Sequence, residues 1–291
     1  MGYMLELDAV TVADPALPQR LAEMAVAALI DEVTLTPKPG LVDVRGRGAH
    51  ADLDCALMCR SAQVLGPTFA ALARAGQIGG EARMLRESIG AIGRQGEAVM
   101  LEATGGVNTH RGAIWALGLI VTAAAMAPDD LQNAPAIATR AGGLARLPDR
   151  HAPRQTGHKG ELACRTYGVS GARGQAQAGF PHVVDVALPM LRHARQRGDP
   201  EGAARLNALL AIMAELDDTC VLSRGGAGAL ACVQQGAARV LAAGGVAAPE
   251  GRKALDGLDR SLLAYNISPG GAADLLAVAL FLDRLAHAGR I

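Results

Sequence analysis

Apolar residues recur along this chain at intervals of three and four, and short polar breaks separate the runs. Leu21, Met24, Ala25, Ala28 and Leu29 share one stripe, which predicts a first helix ending near Val33. The spacing then predicts a helical pair over Asp52–Ala75 and Glu81–Ala103, an apolar helix from Gly112 to about Ala127, and another over Pro128–Leu144. The polar, proline-bearing stretch Ala145–Lys159 reads as a long loop. Helices resume at Glu161, run on from Gln175 and continue over Pro200–Glu215. The stretch LDDTCVLSRGGAG interrupts them before Ala229–Ala243, and two more follow over Pro249–Tyr265 and Pro269–Ala288. Strand–helix alternation is absent, which disfavours Rossmann and barrel folds. The expected architecture is all-α: one compact domain, residues 1–291, of about ten helices, with an N-terminal tail over 1–16.

Composition agrees with that pattern. Half of the 291 residues are hydrophobic, yet there are only one tryptophan, three tyrosines and three phenylalanines, so alanine and leucine contacts must build the core. Basic and acidic residues balance at 28 each, which supplies no general surface for nucleic acid. The N-terminal MGYMLELDAV lacks the basic region of a secretory signal. The uncharged run Gly112–Pro128 is shorter than a membrane span of roughly 20 residues. A soluble cytoplasmic protein is expected, without membrane or nucleic-acid partners. Cys55 and Cys59 lie four apart on a predicted helix, but nothing completes a metal site around them, and buried thiols are the favoured reading.

Candidate chemistry lies in five breaks: LTPKPGLVDVRGRGAHADLD, TGGVNTHRG, SGARGQAQAGFP, LDDTCVLSRGG and YNISPGGAADLL. Each sets glycines beside charged or amide residues at a predicted helix terminus, where unpaired N–H groups favour anions. Their cations are Lys38, Arg45, Arg47, His110, Arg111, Arg173 and Arg224; their acids, with nearby Glu97, are Asp43, Asp52, Asp54, Asp217, Asp218 and Asp274. Arginine forks suit phosphate, and carboxylates among phosphate-binding cations suit a bridging Mg²⁺. His50 adds a further ligand beside Asp52. The site is expected where these loops converge. Solvated salt bridges at helix ends are the competing reading, and the residues alone define a helical enzyme or binding protein for a phosphorylated ligand.

At these breaks the chain closely resembles the triphosphoribosyl-dephospho-CoA synthase family, which serves malonate decarboxylase or citrate lyase. The resemblance runs from about Glu32 to Leu282 through EVTLTPKPGLVD, GAHADLD, GVNTHRG, GARGQAQAGFP, DDTCVLSRGG and NISPGGAADLL. It implies transfer of the triphosphoribosyl group of ATP to the 2′-hydroxyl of 3′-dephospho-CoA, with release of adenine. The product would pass to the transferase that loads the acyl-carrier subunit, of malonate decarboxylase by preference. A homodimer is an allowed assembly.

That reaction implies roles. Lys38, His110, Arg111, Arg173 and Arg224 would bind phosphate, with His50 and Ser268 at the substrate, and Asn108 and Asn266 would orient ribose or base. Asp52, Asp218 and Asp274 would bind Mg²⁺ or face the positive charge developing at C1″, and Glu97 would serve as general base. Blander roles stand beside these: Asp274 pairing with a helix N-terminus, Glu97 on the surface, Asn266 and Ser268 as caps. The chain departs from the family pattern at Gln175, where an acid is common, at Arg111 in place of lysine, and at Cys220 in place of asparagine. Two other functions remain open: a Mg²⁺-dependent ribosyl N-glycoside hydrolase, or a non-catalytic subunit that binds CoA-like ligands.

Overall fold

A computed structural model describes residues 14–153 and 155–288. The expected tail therefore lies mostly outside the described residues, and the first helix, α1 (Leu17–Thr34), opens with a proline in its first turn. The helices α2 (Cys55–Val64), α3 (Gly66–Ile78) and α4 (Ala82–Ala103) follow. The expected helix over Asp52–Ala75 is thus two helices. Pro67 has no N–H to donate, and its ring crowds the carbonyl four residues back, so the chain restarts at Leu65. Glu81 caps α4 by accepting from the N–H groups of Arg83 and Met84 at 3.0 and 2.9 Å.

The apolar helix α5 (Arg111–Ala125) buries twelve of its fifteen residues and so forms the middle of the molecule. It packs against α1, α3, α4, α13 (Gly270–Ala288) and α6 (Ala134–Arg146). The stretch expected as one helix from Pro128 begins with a 3₁₀ turn, Pro128–Asp130, and Asn133 then caps α6. Next come α7 (Lys159–Tyr167), α8 (Gly171–Gln177), a π turn over His182–Ala187 that runs into α9 (Leu188–Gln196), and α10 (Glu201–Glu215). The helix α11 (Thr219–Ala242) begins inside the stretch expected as an interruption, because Asp218 caps its first turn. Only Gly226, at φ 68° and ψ −164°, leaves helical geometry there. The last connection leads through α12 (Pro249–Ala264) to α13.

No strand occurs among the described residues, and one apolar cluster runs through the helices. Its few aromatics, Phe69, Phe180 and Phe281, are fully buried, and small residues fill the rest. No described helix is long and apolar enough to cross a membrane.

Candidate active site at converging helix N-termini

The first turns of α5, α7, α8, α11 and α13 meet. Asp218 joins two of them: Oδ1 accepts from Cys220 N at 2.8 Å in α11, and Oδ2 accepts from Ala272 N at 3.0 Å in α13. A β-carbon at Gly271 would lie 3.1 Å from the same carboxyl, so glycine allows this closeness. At Gly112, in the first turn of α5, a β-carbon would collide with Oδ2 of Asp274 on α13. The starts of α7 and α8 lie against Thr219, through Gly160 and Gly171. Unpaired N–H groups and positive dipole ends are thereby gathered in one place.

Beneath them lies a buried polar cluster. The Lys38 ammonium pairs with the Glu32 carboxylate, both almost fully shielded. Burial pushes the Glu32 carboxyl upward against the opposing pull of Lys38. His110 is buried beside them; its Nδ1 lies 2.9 Å from Ser61 Oγ, which lies 2.6 Å from Thr109 Oγ1. Its Nε2 is enclosed and has no partner among the described residues. Burial, and then the Lys38 charge, lower its pKa to about 4, so it is neutral at physiological pH. Asp274 completes the cluster. Burial first, then the negative charges of Glu32 and Asp218, hold its carboxyl well above the ordinary range. That is how active sites prepare a carboxyl for proton transfer.

The long loop after α1 forms the rim. Buried Asp43 holds it by accepting from Lys38 N at 2.9 Å and Arg45 N at 2.8 Å, and Arg45 reaches on to Asp259 at 3.0 Å. His50 projects from its far end. Arginine only donates, so the 3.1 Å contact from Arg224 Nη2 makes His50 Nδ1 the acceptor, and Nε2–H faces Ser268 Oγ at 2.9 Å. Arg224 also donates to the carbonyls of Ala49 and Asn266, at 2.9 and 3.2 Å. Asn266 takes a left-handed φ of 56°, which asparagine tolerates. Asp52 stands outside this knot, 3.8 Å from His50 with its side chain 66% exposed.

Burial, then the Arg224 charge, lower the His50 pKa from 6.5 to about 4. A depressed histidine stabilises the fold fully above pH 6.5 and loses that contribution as pH falls toward 4. The raised acids Glu32, Asp218 and Asp274 act in the opposite sense, so the readable quantity is a difference. In urea unfolding, the stability gap between the native chain and His50→Gln is expected to be widest above pH 6.5 and to close toward pH 4.

At the edge facing α4, Arg111 pairs with Glu97, and Asn108 Oδ1 accepts from Arg111 N at 3.2 Å at the start of α5. Arg173 is exposed on α8; Trp115 of α5 donates to the carbonyl of the preceding residue, Ala172, at 3.3 Å. The amide Oε1 of Gln175, the departure from the family pattern, lies 3.0 Å from His182 Nδ1.

Lys38, His110, Asp218 and Asp274 are therefore gathered in the interior. His50, Arg224, Asn266 and Ser268 form one rim knot, with Asp52 outside it. Glu97, Arg111 and Asn108 form the α4 edge, and Arg173 lies apart, exposed on α8. Asp52, Asp218 and Asp274 do not form a three-acid cage. Among the described residues no three His, Cys, Asp or Glu side chains are arranged to hold a metal, and both Asp218 oxygens already accept backbone N–H groups. The sequence reading missed Glu32, Ser61 and Thr109. Glu32 carried a signal, since it continues the apolar stripe through Ala25, Ala28 and Leu29, where a buried acid needs a partner.

The all-α scaffold thus gathers helix starts, which favour anions, around a buried carboxyl held above its ordinary range, and its family is one of transferases. The chain belongs to the ATP:dephospho-CoA triphosphoribosyl transferase family, whose model matches residues 18–291. It is 59% identical over 266 residues, 91% of this chain and 94% of the other, to the 2-(5″-triphosphoribosyl)-3′-dephosphocoenzyme-A synthase of Klebsiella pneumoniae. It is 57% identical over 276 residues, 94% of each chain, to the probable synthase of the same name from Azotobacter vinelandii. No solved structure matches the chain.

Proposed function

We propose that this chain transfers the triphosphoribosyl group of ATP to the 2′-hydroxyl of 3′-dephospho-CoA, and that Asp274 moves the proton. The reaction breaks the N-glycosidic bond at C1″ and forms an O-glycosidic bond from the 2′-oxygen to that carbon. The acceptor hydroxyl loses a proton, and adenine gains one. Asp274 suits the second transfer because burial, then Glu32 and Asp218, favour its protonated form; after donating, its carboxylate faces the oxocarbenium-like carbon and takes up the proton that the 2′-hydroxyl loses, which restores the acid. The single observation that carries this reading is the meeting of the α5 and α13 first turns around Asp274.

The triphosphate would lie across the helix starts, within reach of Arg111 and Arg224, and His50 with Ser268 would shape the rim. Lys38 is a positioning residue, since its ammonium is spent on Glu32. Mg²⁺ would be held chiefly by the phosphates of ATP, a mode that needs only one or two protein carboxylates. Asp52 fits that need, because its carboxylate is largely exposed at the rim. When bound, the ion supplies charge neutralisation for the triphosphate.

Incubation of the chain with ATP and Mg²⁺ tests the reading. Adenine is expected only when 3′-dephospho-CoA is present, in step with an adduct whose mass equals that of the acceptor plus ATP less adenine. Adenine release that ignores the acceptor, with free ribose triphosphate, would instead identify a hydrolase. Ligand binding without an adduct would identify a binding subunit.

A further inference from the structure

One face of α4 carries Arg86, Gly90, Arg94 and Glu97, spaced to lie along a single stripe. Arg86 and Arg94 of this stripe share one acid, Asp149 of the loop after α6, and Arg173 of α8 adds a third arginine nearby. The Arg86 guanidinium lies over the Trp115 ring at 5.3 Å, is almost fully buried, and leaves Nε without a partner among the described residues. Arg94 donates to Asp149 at 2.7 Å, and Arg86 lies 3.6 Å from the same carboxylate. Arg173 follows the residue whose carbonyl accepts from the Trp115 ring N–H, so the start of α8 carries a third arginine into this neighbourhood. Its charge is felt at Arg86, whose pKa is lowered first by burial and, among its neighbours, by Arg94 and Arg173. Glu87 and Glu97 do not offset this charge, because each is paired with its own arginine, Arg150 and Arg111. Three cations facing one carboxylate leave two positive charges uncompensated.

We propose that this arginine stripe, with Trp115 behind it, seats the diphosphate of the acceptor 3′-dephospho-CoA. The proposal rests on the transferase reading and deepens it. The diphosphate bridge of that molecule carries two negative charges, which match the surplus. It also sits on the 5′ side of the ribose whose 2′-oxygen must reach C1″, so its seat must be displaced from the reacting carbon. The stripe supplies that displacement: Arg94 is one turn from Glu97, the partner of Arg111, and Arg86 is about 16 Å from Glu97 along the axis at 1.5 Å per residue. Arg94 and Arg173 are open to touch the phosphates, while Arg86 lies behind them as a positioning residue. Paired arginine donors are suited to such an anion.

Titration of the full chain with 3′-dephospho-CoA, with ATP, and with pantetheine as a control lacking diphosphate separates the possibilities. Arg94→Gln and Arg173→Gln should each weaken 3′-dephospho-CoA binding by about ten-fold, the scale of one charged hydrogen bond. ATP and pantetheine affinities should stay within about two-fold, and Arg94→Lys should recover part of the loss. Arg173 has no side-chain partner among the described residues, so its variant tests the seat even if Arg94→Gln disturbs the Asp149 loop. Unchanged acceptor binding in the Arg173 variant, an equal loss for ATP, or no binding of 3′-dephospho-CoA by the native chain would overturn the seat. If the native chain binds the acceptor but releases no adenine, the transferase reading fails, and the titrations alone decide the seat.

Discussion

Asp274→Asn is expected to remove most turnover and leave the fold intact. Burial, then Glu32 and Asp218, hold the carboxyl above its ordinary range, and the amide has nearly the same shape. It meets the same glycine space at Gly112, and it relieves repulsion from the neighbouring acids. Stability should therefore hold or rise slightly. An amide cannot pass a proton, so the loss falls on the chemical step. General acid–base groups contribute about 10²–10⁴-fold, and the fall in kcat should lie in that range with little change in KM for ATP. Adenine release followed with and without acceptor, beside a urea unfolding curve, gives both quantities. A variant that keeps its rate would remove Asp274 from the chemistry.

Lys38→Met should act in the opposite way, on stability first. The Lys38–Glu32 pair is nearly sealed from water, and methionine would leave the Glu32 carboxylate alone in that space. Breaking a buried pair on one side costs about 3–5 kcal/mol, because the remaining charge stays desolvated without compensation. The urea midpoint should fall accordingly. Adding Glu32→Gln removes the stranded charge, so the double variant should regain much of the loss, although its amide still needs a partner. Losses that simply add in the double variant would show that the two side chains are not coupled. Activity should remain low in both variants, because the charge of Lys38 acts on His110 and that of Glu32 on Asp274.

The helical architecture was legible because its signal is local. Alanine and leucine at three- and four-residue spacing name the helices, and glycine with proline marks their ends. The misjudged boundaries were decided by single residues whose effect depends on neighbours. Pro67 restarts a helix because it crowds a carbonyl one turn earlier, and Asp218 starts α11 inside a glycine-rich stretch by capping it. Four of the five breaks lead into helix starts, those of α5, α8, α11 and α13, that lie near Asp218 and Asp274, whereas the first leads into α2 and forms the rim. Charge alone could not sort the cations into interior and rim. Lys38 looks like a phosphate ligand until its partner six residues earlier is seen, and the neighbourhood of Arg173 is set only by the packing of α8 on α5. Pairings across the chain are long-range facts, and a linear pattern does not carry them.

Each wall around Asp274 is contributed by a different stretch, from Glu32 near one end of the chain to the carboxyl itself near the other. No contiguous fragment holds enough of these walls to make a lesser version of the pocket. Removing either the stretch that carries Glu32 or the last helix would take one of these walls away.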